Sequence, residues 1–185
     1  MATLSVFNFM SLNGFTHDAQ GGIAWHRHGE EEGAYAAEGA NSASILVFGR
    51  KTYDMMASFW PTPMAAQMQP EVTKGMNASS KIVFSRTMKK AEWENTRLVS
   101  TDPAAEIRRM KKEQENPLTI LGSGSIVTLC AEHGLIDDYK LMIDPVILGA
   151  GATLAAGISK TLDLQLKDHR IFHSGVVLLH YVPKA

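Results

Sequence analysis

A single cysteine, Cys130, among 185 residues rules out an internal disulfide and a zinc site built from several thiolates. An excess of charge of one sign is missing too, since 18 Lys and Arg stand against 19 Asp and Glu, a net charge of −1. Nucleic acid and anionic membrane select a strong basic excess, so neither is expected as a partner. No apolar run approaches the roughly 18 residues needed to span a bilayer. The opening MATLSVFNFM has no basic segment before its apolar stretch, so it does not read as a signal peptide, and the expected location is cytoplasmic. Repeats, low-complexity tracts and Gly/Ser linkers are also lacking. Residues 1–185 are therefore expected to form one domain, at about 1.2 times the usual allowance of roughly 150 residues. Several catalytic signatures are absent as well: the phosphate loop Gly-x-x-x-x-Gly-Lys-Ser/Thr, the His-Glu-x-x-His metal helix and the Gly-x-Ser-x-Gly elbow. What remains is 45% hydrophobic and 20% charged, the balance of a packed globule. At this length it buries about 70% of its unfolded surface.

Short β-branched or apolar runs recur at Leu4–Met10, Ser44–Phe48, Lys81–Ser85, Arg97–Ser100, Leu118–Leu121, Tyr139–Ile147, Leu162–Phe172 and Val176–Val182. Each is of strand length, and most are bounded by Gly, Pro, Asn or Asp. Between them Glu30–Asn41, Lys51–Ser58, Pro103–Glu115 and Ser125–His133 read as helices. Asp102 before Pro103 is a helix start, because Asp caps free N–H groups and Pro suits the first position. Gly134 is a stop, since glycine adopts the left-handed closing conformation. Strands that alternate with helices imply parallel strands joined by crossovers. The tail then adds a hairpin that turns at His173-Ser174-Gly175. The expected architecture is a mixed sheet of about eight strands with helices on both faces and a C-terminal antiparallel hairpin.

Two strand-to-helix junctions stand out. In ILVFGRKTYDMMASF a strand runs into Gly49, Arg50, Lys51 and Thr52 and then a helix. Free N–H groups and the positive dipole end lie there, with two cations and a hydroxyl added, so a phosphate fits as well as a solvated turn does. In PLTILGSGSIVTLCAEHG a strand feeds Gly122, Ser123, Gly124, Ser125 and Ile126. Two glycines permit close backbone approach to a ligand. This is not the dinucleotide fingerprint, because its third glycine is replaced by Val127. Together, the two junctions suit the two ends of a pyrophosphate. Ser85 and Arg86, at another strand's carboxyl end, offer a hydroxyl and a guanidinium for a further phosphate, or else an exposed turn.

These segments carry a resemblance. SLNGF, VFGRKTYDMMASFWP, KIVFSRT, ILGSGSIV and LMIDPVILGAGATL occur in the order and spacing of the dihydrofolate-reductase-like superfamily, over nearly the whole chain. Within it the chain is most similar to the reductase domain of riboflavin-biosynthesis deaminase-reductases and their stand-alone relatives. The resemblance implies a three-layer α/β/α fold and an NADPH-dependent oxidoreductase. It implies that Gly49, Arg50, Lys51 and Thr52 hold the pyrophosphate side of the cofactor, and that Ser85 and Arg86 hold the 2′-phosphate. Gly122, Ser123, Gly124, Ser125 and Ile126 would line the pyrophosphate and nicotinamide-ribose path, with the backbone of Asn8 and Phe9 facing the nicotinamide. By the same resemblance the substrate is 5-amino-6-(5-phosphoribosylamino)uracil, and a homodimer is the common assembly. The alternatives are dihydrofolate reduction and a non-catalytic dinucleotide-binding relative.

The substrate pocket is expected between Asn13 and Gly14 on the first loop, Trp25, the helix from Glu30 and the helix start up to Tyr53. Glu30 is the carboxylate placed for pterin-type chemistry, set against a plain helix N-terminus enriched in acid. Asn13 stands where the relatives carry Asp, which removes a proton-exchanging group from that loop. The His-x-Glu and Pro-Cys-x-x-Cys deaminase signature is absent. Trp25-His26-Arg27-His28 reads as an exposed surface loop, Met55 and Met56 as packing, and Cys130 as core. No metal is expected.

Overall fold

The computed structural model describes residues 1–184. Its main sheet has eight strands, in the order β5-β4-β3-β6-β1-β7-β10-β9. In chain order these are β1 (Leu4–Ser11), β3 (Ile45–Gly49), β4 (Lys81–Phe84), β5 (Thr96–Val99), β6 (Leu118–Leu121), β7 (Asp138–Asp144), β9 (Leu164–Ile171) and β10 (Val177–Pro183). The first six pair in parallel, and β10 runs antiparallel to both β7 and β9. The expected mixed sheet and its C-terminal hairpin are therefore present. A separate two-stranded ribbon, absent from the expected elements, pairs β2 (Phe15–Asp18) with β8 (Gly151–Thr153). The strand foreseen to reach Ile147 stops at Asp144, because Pro145 has no N–H to continue the ladder.

Side chains alternate across the strands and so divide two cores. Ile45, Val47, Ile82 and Phe84 face α5 (Pro103–Glu113) and α6 (Gly124–Glu132), where Ile107, Met110, Val127 and Cys130 close the layer. Burial pushes the Cys130 thiol up to about 12, as suits a core residue. Leu46, Phe48 and Val83 face the other way, toward Tyr53 on α2 (Arg50–Phe59) and toward Val72 and Met76 on α4 (Pro70–Ala78). Sequence reasoning placed no element between Ser58 and Lys81. Two short helices occupy it, α3 (Pro63–Met68) and α4, each opened by a proline, and Thr62 caps α3 by accepting the Ala65 N–H at 3.2 Å. Among the described residues no helix is long and apolar enough to cross a membrane.

The helix α1 (Glu30–Ala40) leans on α4 and leaves open space between itself and the centre of the sheet. Gly75 makes this contact possible, since a Cβ there would lie 2.7 Å from the backbone carbonyl of Ala40. Beneath α1 is a cavity of about 1310 Å³, with Phe7, Thr119 and Leu121 on its floor and Ala36 and Ala37 in its roof. The edge strand β9 is exposed along all eight residues, including Leu164, Leu166 and Ile171.

Gly75→Ala gives a direct test of how α1 is held. An alanine normally stabilises a helix interior by about 1 kcal/mol over glycine. Here the clash is with backbone, so overpacking of about 1–3 kcal/mol wins. The expected result is a lower urea midpoint at an unchanged slope, and a midpoint at or above wild type would show that α1 does not depend on this approach.

Candidate active site

The two glycine junctions meet at the carboxyl edge of the sheet. The Gly49 N–H donates to Ser123 Oγ at 2.9 Å, and the Ser123 N–H donates to Thr52 Oγ1 at 3.1 Å. Gly122 and Ser123 both take the left-handed conformation, at φ +60 and +56. For Gly122 this costs little, and a Cβ there would lie 3.1 Å from Thr52 Cγ2. For Ser123 it costs roughly 1–2 kcal/mol. Two reciprocal hydrogen bonds of about 0.5–1.5 kcal/mol each offset that. The brace sets the starts of α2 and α6 side by side, and a helix start leaves its first N–H groups without intrahelical carbonyl partners. Arg50 and Lys51 extend from the first turn of α2, both exposed. Gly124 opens α6 with free space around it, since a Cβ there would meet only the Thr153 carbonyl at 4.0 Å. Ile126 is buried and packs beside Gly49.

Nearby, Asn8 is only 4% exposed, and its Oδ1 has no partner among the described residues. A buried acceptor of this kind needs a donor from outside the chain, whether water or ligand. Phe9 lies on the opposite face of β1 and lines the cavity. Ser85 sits at the end of β4, its hydroxyl accepting the N–H groups of Thr87 and Met88, while Arg86 is exposed. The paired helix starts, the left-handed Gly122 and the orphaned Asn8 oxygen fit a nicotinamide dinucleotide.

On the substrate side the structure corrects several expectations. Tyr53 faces away from the cavity, is buried against Phe48 and Trp93, and accepts the Trp93 N–H at 2.9 Å through its hydroxyl. The cavity face of α2 is instead Thr52, Met55, Met56 and Phe59, the spacing of one helical stripe, with Trp60 beyond it. Met55 and Met56 thus line the pocket, although they read as mere packing. Asn13 lies outside the cavity and clamps the Leu148 peptide, accepting its N–H at 3.1 Å and donating to its carbonyl at 2.7 Å. Gly14 makes the adjoining turn at φ +90. Trp25 also lies outside and donates its indole N–H to the Gly22 carbonyl at 3.2 Å. Glu30 is exposed at the rim. Two residues further on, Glu32 is buried and accepts the Ser174 hydroxyl.

The largest correction concerns the loop read as surface. His26 is 5% exposed and its ring stacks on Phe9, with centroids 3.5 Å apart. Its Nδ1 lies 2.7 Å from Oδ2 of Asp144, a carboxylate with 0% exposure whose Oδ1 accepts the Arg27 N–H at 2.8 Å. A carboxylate only accepts, so Nδ1 carries the proton. His28 stands edge-on to His26, with ring centroids 4.6 Å apart. Burial first, and then the neighbouring His26, lower the His28 pKa. The sequence offered one missed signal, the Asp-Pro at the end of β7, since an ionisable residue closing a buried parallel strand needs a partner.

Comparison with known proteins agrees with this architecture. Two uncharacterized Bacillus subtilis proteins are similar over most of their length. YyaP is 26% identical over 172 residues, covering 93% of this chain and 90% of its own. YwjB is 25% identical over 175 residues, covering 94% and 93%. A Shewanella protein assigned to riboflavin biosynthesis superposes with a TM-score of 0.76 at 22% identity over 100% of both chains. The Thermotoga maritima diaminohydroxyphosphoribosylaminopyrimidine deaminase/5-amino-6-(5-phosphoribosylamino)uracil reductase gives a TM-score of 0.69 at 13% identity. That match covers 99% of this chain and 57% of the larger one. These likenesses establish a common fold. The model of the RibD C-terminal domain matches residues 2–178, and the chain belongs to that family.

Proposed function

We propose that the protein is a reductase that uses NADPH to reduce an electron-poor carbon of a small heterocyclic or ribosyl-imine substrate. The first candidate is 5-amino-6-(5-phosphoribosylamino)uracil. The observation that carries this reading is the continuity of one cavity. It runs from Gly122 and Thr52, beside the paired helix starts, to Phe9, His26 and Trp60 beneath α1. A dinucleotide along the sheet edge and a substrate under α1 would therefore meet within one space. Ligands of open α/β sheets bind at this carboxyl edge.

When bound, the cofactor supplies the hydride. The protein's part is placement and exclusion of water. First-turn N–H groups of α2 and α6, with Arg50 and Lys51, would hold the pyrophosphate. The backbone of Asn8 and Phe9 on β1 would face the nicotinamide, and Met55, Met56, Phe59 and Trp60 would form the apolar wall on the substrate. Ser85 and Arg86 would read the 2′-phosphate. The assembly we favour is a homodimer. Oxidation of NADPH, followed by absorbance against 5-amino-6-(5-phosphoribosylamino)uracil and dihydrofolate in parallel, tests the substrate, and faster turnover of dihydrofolate would reverse the choice.

Two substitutions test the cofactor side. Gly124→Val places a side chain in open space at the junction, so thermal stability should change little while NADPH binding is lost. Normal NADPH affinity in that variant would take α6 out of the site. Arg86→Ala removes a charged hydrogen bond worth roughly 1.5–3 kcal/mol, so NADPH should weaken about ten- to hundredfold while NADH stays unchanged. Because Trp60 lines the cavity, quenching of tryptophan fluorescence can report both titrations. Equal losses for the two cofactors would assign the 2′-phosphate to another residue.

A further inference from the structure

Building on the reductase reading, we propose that His26 is the proton donor of the reaction and that Asp144 is its positioning residue. Three observations converge on His26. Asp144 holds Nδ1–H at 2.7 Å, which leaves Nε2 as the ring's only free nitrogen. Nε2 has no hydrogen-bond partner among the described residues, and His26 lines the cavity. Its ring stacks on Phe9 with centroids 3.5 Å apart, beside the strand to which the reductase reading assigns the nicotinamide. Packing alone would explain a stacked ring, but it does not require a fully buried carboxylate to orient it.

The groups facing His26 fit this role. Asp144 supplies a negative charge that balances an imidazolium in a dry site. Arg27 adds its backbone N–H to the same carboxylate and directs its guanidinium to the Ser174 carbonyl at 2.8 Å, away from the ring. Burial and the neighbouring His26 lower the pKa of His28, the other imidazole at the site. Glu32 is held by the Ser174 hydroxyl.

A bound reduced nicotinamide would supply hydride to the carbon of a C=N acceptor, and the C=N π pair would move to nitrogen. That nitrogen takes the proton from Nε2, so the imidazolium becomes neutral imidazole with Nδ1–H still on Asp144. Solvent returns the proton after product leaves. One reduced nicotinamide, one proton and one C=N give oxidised nicotinamide and one CH–NH.

The test uses His26→Asn, whose side-chain amide can replace Nδ1–H on Asp144 but has nothing in place of Nε2, and Asp144→Asn. One arm needs no substrate. An imidazolium beside the nicotinamide repels the cationic ring of NADP+ and leaves neutral NADPH unaffected. In wild type the affinity for NADP+, relative to that for NADPH, should rise as pH increases. In His26→Asn this ratio should stay flat. The second arm measures turnover of 5-amino-6-(5-phosphoribosylamino)uracil, where His26→Asn should lower kcat by about 10²–10⁴ with little change in KM. Asp144→Asn should move the alkaline limb of the wild-type kcat profile to lower pH. A pH-independent NADP+ ratio in wild type, or kcat in His26→Asn within threefold of wild type, overturns the assignment. Failure of wild type to bind either nucleotide refutes the reductase reading itself, and this inference with it.

Discussion

A carboxylate with no access to water must be satisfied from within, and Asp144 meets this demand with a ring nitrogen of His26 and the backbone N–H of Arg27. Both donors lie on the irregular stretch between β2 and α1. Meeting the need of one buried group therefore fixes a loop that has no regular structure of its own. The stretch delivers the His26 ring to Phe9 and ends where α1 begins. Breaking one side of such an arrangement leaves a buried polar group unpaired, a far larger cost than an exposed ion pair could represent. The roof of the cavity thus hangs from the end of a central strand.

The opposite side of the cavity rests on a different device. Ser123 accepts left-handed strain and, through two hydrogen bonds, ties the end of β6 to the start of α2. Neither junction alone distinguishes a ligand site from a surface turn. Their attachment to each other places two helix starts side by side, which is the support for the ligand reading. Gly75 complements this by letting α1 rest on α4 instead of on the sheet, which keeps the space beneath it open.

Much of the fold was legible because local pattern and tertiary arrangement agree. Buried parallel strands such as Ile45–Gly49 are continuous apolar runs, and Asp102-Pro103 opens α5 as its capping chemistry predicts, with Asp102 accepting the Ala104 N–H at 3.0 Å. The helices between Ser58 and Lys81 were hidden by their prolines, which mark starts as readily as breaks. In the sequence the two glycine junctions were legible as short motifs that hold both donors and glycines, and the structure joins them at the sheet edge. His26 and Asp144 are 118 positions apart, and no local pattern links them. Tyr53 was misplaced for a simpler reason, since one residue along a helix is a turn of 100° and the stripe that faces the cavity begins at Thr52.

The uncovered β9 has its own consequence. An edge strand with free N–H and carbonyl groups is a template on which another extended chain can add. Here the apolar Leu164, Leu166 and Ile171 lie on either side of the run Lys167-Asp168-His169-Arg170, all of it exposed. Charges in the middle of an otherwise adhesive strand make an incoming segment of the same sequence face like charges in some registers and bury unpaired ones in others. Charges on an edge strand of this kind disfavour its indiscriminate growth into fibres.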